Sequence, residues 1–271
     1  MGIPYFVIVE SQEYDRYSSV IDSAKLLVLD PKYKDVYDTF SEDPALGGGK
    51  GTGSGPARNY AWDHSISLGF KWHWVMDDNI RCFYRLNLNL RVKVTDGTVF
   101  RCMEDFCLRY TNVGMGGPNY LMFVPRRYKR KPFITNTRIY SCNLIRNDLP
   151  MRWRGRYNED TDLSLRMIKS GHCTILFNAF LQNKATTLTM KGGNTDTIYT
   201  VGTMAKSQML KLMHPDVVEV VWKYGRWHHW INYRPFQRYP KLRRLDGLES
   251  SPNIDINEYG MTLINLPITT L

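Results

Sequence analysis

Trp72-His73-Trp74-Val75-Met76-Asp77-Asp78-Asn79 runs from five residues rich in aromatic and β-branched types straight into two carboxylates and an amide. The first five suit a buried strand, and bare carboxylates cannot follow them inside without a heavy desolvation cost. The acids therefore belong at the strand's carboxyl end. In open α/β sheets that end faces the ligand crevice, so two hard oxygen ligands delivered there make a candidate cation and phosphate site. The same acids, with Asn79, also suit an ordinary acidic turn.

Upstream, Tyr5 to Val9 is a short β-branched and aromatic run ended by Glu10, and Lys25 to Leu29 is a second ended by Asp30 and Pro31. Between them Tyr14, Tyr17, Val20 and Ile21 fall at helical spacing, so a helix is expected over Glu13 to Ala24. Strand, helix, strand is a βαβ unit with parallel strands and a right-handed crossover. Next comes Gly47-Gly48-Gly49-Lys50-Gly51-Thr52-Gly53-Ser54-Gly55, a loop that offers unencumbered N–H groups to phosphate, or a plain linker. It is not a Walker A loop, because Gly51 follows Lys50 where that motif needs Ser or Thr. Pro56 to Leu68 reads as a helix with Gly69 as its C-cap, leading directly into the Trp72 strand. Arg58 in its first turn opposes the helix dipole, which makes sense against a bound phosphate and accords equally with a solvated surface arginine.

Downstream, alternating Leu86, Leu88, Leu90, Val92 and Val94 predict a strand. A Thr95-Asp96-Gly97 turn and a returning strand at Thr98 to Cys102 would complete a hairpin. Val113 to Val124 reads as loop and strand broken by Gly114, Gly116, Gly117 and Pro118. Arg126-Arg127-Tyr128-Lys129-Arg130-Lys131 is the densest charge run, with cations to track phosphates and an aromatic to stack on bases. Asn158-Glu159-Asp160-Thr161-Asp162 opens a helix that ends at Gly171. Asn158 is a good N-cap, and first-turn acids gain from the dipole whether or not one of them serves as a base. Cys173 to Phe180 is a further strand. Late in the chain stand His214 and Lys223-Tyr224-Gly225-Arg226-Trp227-His228-His229-Trp230, where a histidine could ligate metal or simply hydrogen-bond.

The 271 residues suffice for one large domain or two small ones, and a net charge of +10 favours polyanionic partners, nucleic acid first among them. Five cysteines without C-x-x-C spacing argue against a disulfide framework or a cysteine zinc site. No basic leader precedes the first strand, and no apolar run approaches the roughly 18 residues of a spanning helix. A soluble cytoplasmic protein, with no membrane partner, is expected.

Taken in order, the βαβ start, the glycine loop, Asp77-Asp78-Asn79 in place of a D-x-D motif and Glu159-Asp160-Thr161-Asp162-Leu163 in place of an E-D motif resemble a GT-A fold glycosyltransferase from residue 3 to about 235. More narrowly, Val9-Glu10-Ser11-Gln12-Glu13-Tyr14, Gly55-Pro56-Ala57-Arg58-Asn59, Arg156 to Leu163 and Gly225-Arg226-Trp227-His228-His229 resemble the phage TET-associated glycosyltransferases, which decorate 5-hydroxymethylpyrimidines in phage DNA. The resemblance implies an α/β, Rossmann-like mixed and mainly parallel sheet flanked by helices. It implies a single domain over 1–235, with a nucleotide-sugar half (1–80) and an acceptor half (81–235), then a wrapping extension over 236–271.

The same resemblance implies inverting, metal-dependent transfer of a sugar from a nucleotide sugar, expected to be a UDP-sugar, to the hydroxyl of hydroxymethylcytosine in phage DNA. Asp160 is then the general base. Glu159, Asp162, Arg127, Lys129 and Trp227 contact the acceptor, and Glu10, Asp30, Lys50, Arg58, Asp77 and Asp78 the donor. A manganese or magnesium ion falls to Asp78 and His229, with His228 and His214 as alternatives. Asn79 departs from D-x-D and leaves open which acid ligates directly. A metal-dependent nuclease or nucleotidyltransferase, and a non-enzymatic DNA-binding protein, share the paired acids or the basic face and stand as alternatives.

Overall fold

The computed structural model describes residues 1–40, 53–87, 89–126, 131–185 and 203–246. Lys50 and most of the glycine loop, Arg127, Lys129 and the chain beyond 246 lie outside the described residues. The chain starts as expected, with β1 (Val7–Val9) and β2 (Leu26–Val28) in parallel register, Val7 opposite Leu26. The helix between them, α1 (Tyr14–Ser18), is shorter than its periodicity predicts. Ser18 and Ser19 turn their hydroxyls back onto the carbonyls of Asp15 and Arg16, which competes with helix propagation. A single turn, α2 (Lys32–Asp35), follows β2.

The long helix α3 (Gly55–Ser67) carries Pro56 in its first turn and is followed by Gly69 at φ +79°, as the sequence predicts. It lies against β1, α2 and β3 (Trp72–Met76). Its first residue has to be glycine: a Cβ there would sit 1.9 Å from the hydroxyl oxygen of Tyr37, a buried side chain that donates to the Gly155 carbonyl at 2.9 Å. Gly55→Ala should therefore lower stability by about 1–3 kcal/mol in urea denaturation. Wild-type stability in that variant would show that Tyr37 does not pack against the helix start.

The main sheet runs β3, β8 (Cys142–Arg146), β6 (Val113–Tyr120), β9 (Cys173–Lys184), β4 (Ile80–Asn87), β5 (Leu90–Val94), with β7 (Phe133–Thr135) also on β9. The expectation of a mainly parallel sheet is corrected here. Among the described strands only β1 with β2 and β6 with β9 pair in parallel, and every other ladder is antiparallel. A short loop such as that between β4 and β5 forces antiparallel pairing, and only long crossovers permit the parallel kind. The fold class is thus mixed α/β, with β3 to β9 in one mixed sheet.

Two local expectations also change. Thr98 to Cys102 is not a returning strand but the start of α4 (Thr98–Leu108), with the Asp96 carboxylate accepting from the Thr98 amide at 2.9 Å. Val99, Phe100, Met103 and Cys107 give it a buried helical face. Within Val113 to Val124 the glycines and Pro118 do not break the strand: Val113–Tyr120 is one buried central strand, β6. A Cβ on Gly117 would lie 2.2 Å from the Cys142 carbonyl of β8, so the small residue permits close backbone approach.

Neighbouring residues of a strand point to opposite faces, and the core divides accordingly. Leu144 joins Phe100, Met103 and Phe177 under α4, while Ile145 joins Trp62 of α3 and Leu163 and Met167 of α5 (Glu159–Lys169) on the other face. Beyond α5, helix α6 (Met204–Met213) and the hairpin of β10 (Val218–Lys223) and β11 (Arg226–Ile231) close over Leu165 through Leu210, Val218 and Ile231. The following segment runs back along residues 109–112, where the Thr111 amide donates to the Arg243 carbonyl at 2.8 Å. None of the five cysteines is in a disulfide. Among the described residues no helix is long and apolar enough to cross a membrane.

Candidate active site

Arg58, in the first turn of α3, is neither a surface arginine nor free to meet a phosphate. It is 6 % exposed and lies with its guanidinium 4.6 Å above the Trp153 ring. It donates to Asp160 Oδ1 and to Asp77 Oδ1, each at 2.7 Å, and stands 3.3 Å from Glu159 Oε1. The two acidic motifs of the sequence, 83 residues apart at Asp77 and Asp160, are thus brought together by one buried cation. Burial opposes the charge on Arg58, but the three acids outweigh it and hold the guanidinium firmly protonated.

Residues that the sequence reading missed complete the site. Lys184, the last residue of β9, binds Asp77 Oδ2 and reaches Ser141 Oγ at 2.8 Å. Ser141 occupies the left-handed region at φ +62°, a strained placement for a residue with a side chain. There its carbonyl accepts from the Asp77 amide at 2.8 Å, its own amide donates to Asp160 Oδ2 at 3.2 Å, and its hydroxyl meets the Tyr120 hydroxyl at 2.7 Å. Asn143 on β8 donates to Asp160 Oδ1 at 3.2 Å. The sequence carried no strong signal for Lys184, which follows the polar Gln182-Asn183 and not an apolar run.

The two aspartates are driven apart in acidity. For Asp77 burial is opposed by Arg58 and Lys184, which together hold its carboxyl below the usual carboxylate range. For Asp160 burial is again the largest influence, Arg58 opposes it, and repulsion from Glu159 and Asp77 carries the carboxyl up to about 6. Paired acids with separated pKa values divide into a permanent anion and a titrating proton acceptor. Among the described residues Asp160 Oδ2 accepts only the Ser141 amide, so a lone pair stays available on it.

Glu159 opens α5 beside Asp160 and accepts from Ser54 Oγ at 3.1 Å. Asn158 takes the N-cap position in the left-handed region, yet its side chain donates to the Lys206 carbonyl instead of capping. Asp162 does not face an acceptor. It is completely buried and bound by Arg154, by Arg166 at 2.7 Å and by His214 Nε2 at 2.9 Å. That pairing also commits His214, whose Nδ1 meets Lys169, so neither residue is placed as a ligand. Glu10 and Asp30 end β1 and β2 as expected and pair with Lys34 and Lys32 of α2.

Asp78 projects from the end of β3 and is exposed, next to the fully engaged Asp77. His229, on β11, is half-buried near Lys206 and Arg138, and desolvation first, then these cations, pushes it down to about 3. Its Nδ1 is buried with no hydrogen-bond partner among the described residues. A neutral imidazole with an orphaned nitrogen and an exposed carboxylate are the right donor types for a divalent cation that keeps several ligands from substrate and water. Among the described residues no group of three His, Cys, Asp or Glu side chains forms a ready-made cage. His228 instead faces Arg226, whose Nε donates to its Nε2 at 3.2 Å.

Beside the acids opens a cleft of about 250 Å3, lined by Tyr120, Phe123, Arg138, Tyr140, Gln182 and Tyr233 among others. Tyr120 and Tyr140 stack at 5.8 Å and 13° between ring planes, and the Arg138 guanidinium lies 5.0 Å from the Tyr140 ring. The Tyr120 hydroxyl joins this aromatic wall to Ser141 and, through it, to Asp160.

A mixed α/β fold that gathers a permanent carboxylate, a titrating carboxylate and fixed cations beside an aromatic cleft has the parts of a group-transfer enzyme. Residues 1–193 match the family model for TET-Associated Glycosyltransferase. The chain belongs to that family and is a glycosyltransferase. No curated protein and no solved structure matches it.

Proposed function

We propose that the enzyme moves a sugar from a nucleotide-sugar donor to the hydroxymethyl oxygen of a modified pyrimidine in DNA, with inversion at the anomeric carbon and Asp160 as general base. What carries this reading is the position of Asp160: buried, raised in pKa, and one residue from a cleft whose aromatic walls suit a heterocyclic base. The acceptor hydroxyl gives its proton to Asp160 Oδ2 as its oxygen bonds to the anomeric carbon. The bond from that carbon to the donor's phosphate oxygen breaks on the opposite face, and the nucleoside diphosphate leaves. No covalent enzyme intermediate is needed, so a single displacement inverts the centre. Arg58 and Lys184 keep Asp77 ionised and orient it, and Arg58 fixes Asp160 against rotation.

Asp78, with His229 as a second ligand, would hold a divalent cation, manganese or magnesium, whose chemistry is to neutralise the departing diphosphate. Asp77 then serves the ribose, and Glu10 and Asp30 the donor nucleoside. Glu159 and Trp227 remain on the acceptor side. The net charge of +10 supports a polyanionic acceptor, with hydroxymethylcytosine in phage DNA and a UDP-sugar as the first pair to test.

Incubating the protein with a panel of nucleotide sugars and hydroxymethylated DNA, followed by nucleoside mass analysis, tests the reading. A base heavier by one sugar supports it, and unmodified nucleosides with every donor sink it. Because the base must be ionised, kcat/KM for transfer should rise with pH through about 6 and then level. Glu159→Gln removes repulsion and should move that limb to lower pH. A limb that stays in place assigns the titration to another group.

A further inference from the structure

The β10–β11 hairpin carries a feature that neither the core nor the acid cluster explains. Lys223 pairs with Arg226, so the loop is Tyr224-Gly225 alone, and both residues have positive φ, +52° and +71°. Two-residue loops of this kind prefer Asn-Gly, because a bulky side chain in the left-handed region is strained. Here the strained position holds a tyrosine that is 93 % exposed. Trp222 and Trp227 stand edge to face at 5.2 Å on the next rung but one, with Trp222 itself exposed. Lys223 and Arg226 flank the tip and are exposed as well.

The hairpin is also rooted at the site. Ile231 at its base is buried in the core, and Tyr233, two residues on, lines the aromatic cleft. On the α6 side Lys206 feels both Glu159 and Arg226.

We propose that this hairpin tip is a nucleic-acid contact in which Tyr224 stacks on a base of the acceptor DNA next to the one being modified, while Lys223 and Arg226 hold the flanking phosphates. The inference rests on the DNA acceptor proposed above. The chemistry fits one occupant: an aromatic face for a base and a cation on either side for the backbone, on a chain of strong positive charge. A base drawn toward the cleft leaves a gap in the stack, and an aromatic wedge fills such a gap.

The test is fluorescence anisotropy of labelled hydroxymethylated duplex DNA with wild type and three variants, alongside thermal unfolding and the sugar-transfer assay. Tyr224→Ala should weaken DNA binding roughly tenfold, and Tyr224→Phe should bind like wild type. Tyr224→Asn should bind as poorly as Tyr224→Ala while its unfolding midpoint rises, since Asn tolerates the left-handed backbone. A merely structural tyrosine would give the reverse, with lower midpoints and unchanged binding, and that result overturns the inference. So does a wild-type protein that binds no DNA. Tyrosine-dependent binding without any sugar transfer would leave the hairpin contact standing and remove only the transferase acceptor reading.

Discussion

Asp160→Asn is expected to lower kcat for sugar transfer by about 10²–10⁴-fold while donor binding persists. The amide keeps the volume, and with its oxygen in the Oδ1 place it still accepts from Arg58 and Asn143, giving up only the 3.2 Å bond from the Ser141 amide. What disappears is a proton acceptor that the site both buries and raises toward neutrality. Asp77, held ionised by two cations, is too weak a base and too fully occupied to replace it. Single-turnover transfer to hydroxymethylated DNA, with donor affinity measured separately by calorimetry, separates the chemical step from binding. A variant with more than about a tenth of wild-type kcat would end the general-base assignment.

Asp162→Ala has its largest effect on the fold. Asp162 is completely buried between Arg154, Arg166 and a His214 that is 2 % exposed, and removing the carboxylate leaves these groups facing one another. Breaking one side of such a pairing costs about 3–5 kcal/mol. Urea denaturation followed by tryptophan fluorescence reads it directly, and a loss below about 1 kcal/mol would show that the cluster is not structural. The pH dependence has a defined sign. Burial opposes ionisation of Asp162, but His214, Arg154 and Arg166 outweigh it and bring the carboxyl from 3.8 down to about 2. Its stabilisation is therefore complete above the unfolded value and is lost as pH falls through about 2. The variant should lack that part of the acid transition.

The contrast between Asp160 and Asp162 shows how far a sequence motif reaches. Both stand in the first turn of one helix with the same local preferences, and two residues of spacing turn them to different sides of α5. One meets Arg58 and Ser141, the other Arg154 and His214. Apart from Arg166, four residues on from Asp162 in the same helix, the difference is made by partners 8 to 102 residues away. The late histidines divide in the same way: His214 is absorbed into an ion cluster, whereas His229 keeps an unpartnered nitrogen.

Some features were fixed by the chain's own local chemistry. The strand ending in Asp77-Asp78, the helix starting near Pro56 and closing before Gly69, and the acidic start of α5 all follow from short-range desolvation, dihedral preference and helix-end electrostatics. Such effects act within a few residues, so they are legible without a fold. Strand direction, the burial of Arg58, the arrival of Lys184 and Ser141 at Asp77, and the enclosure of Asp162 were decided only by tertiary structure. Each depends on which strands become neighbours in the sheet, a choice set by burial of the whole apolar surface and loop closure over long separations. A charged residue shows in the sequence that it must find a partner, and only the packed molecule determines which one.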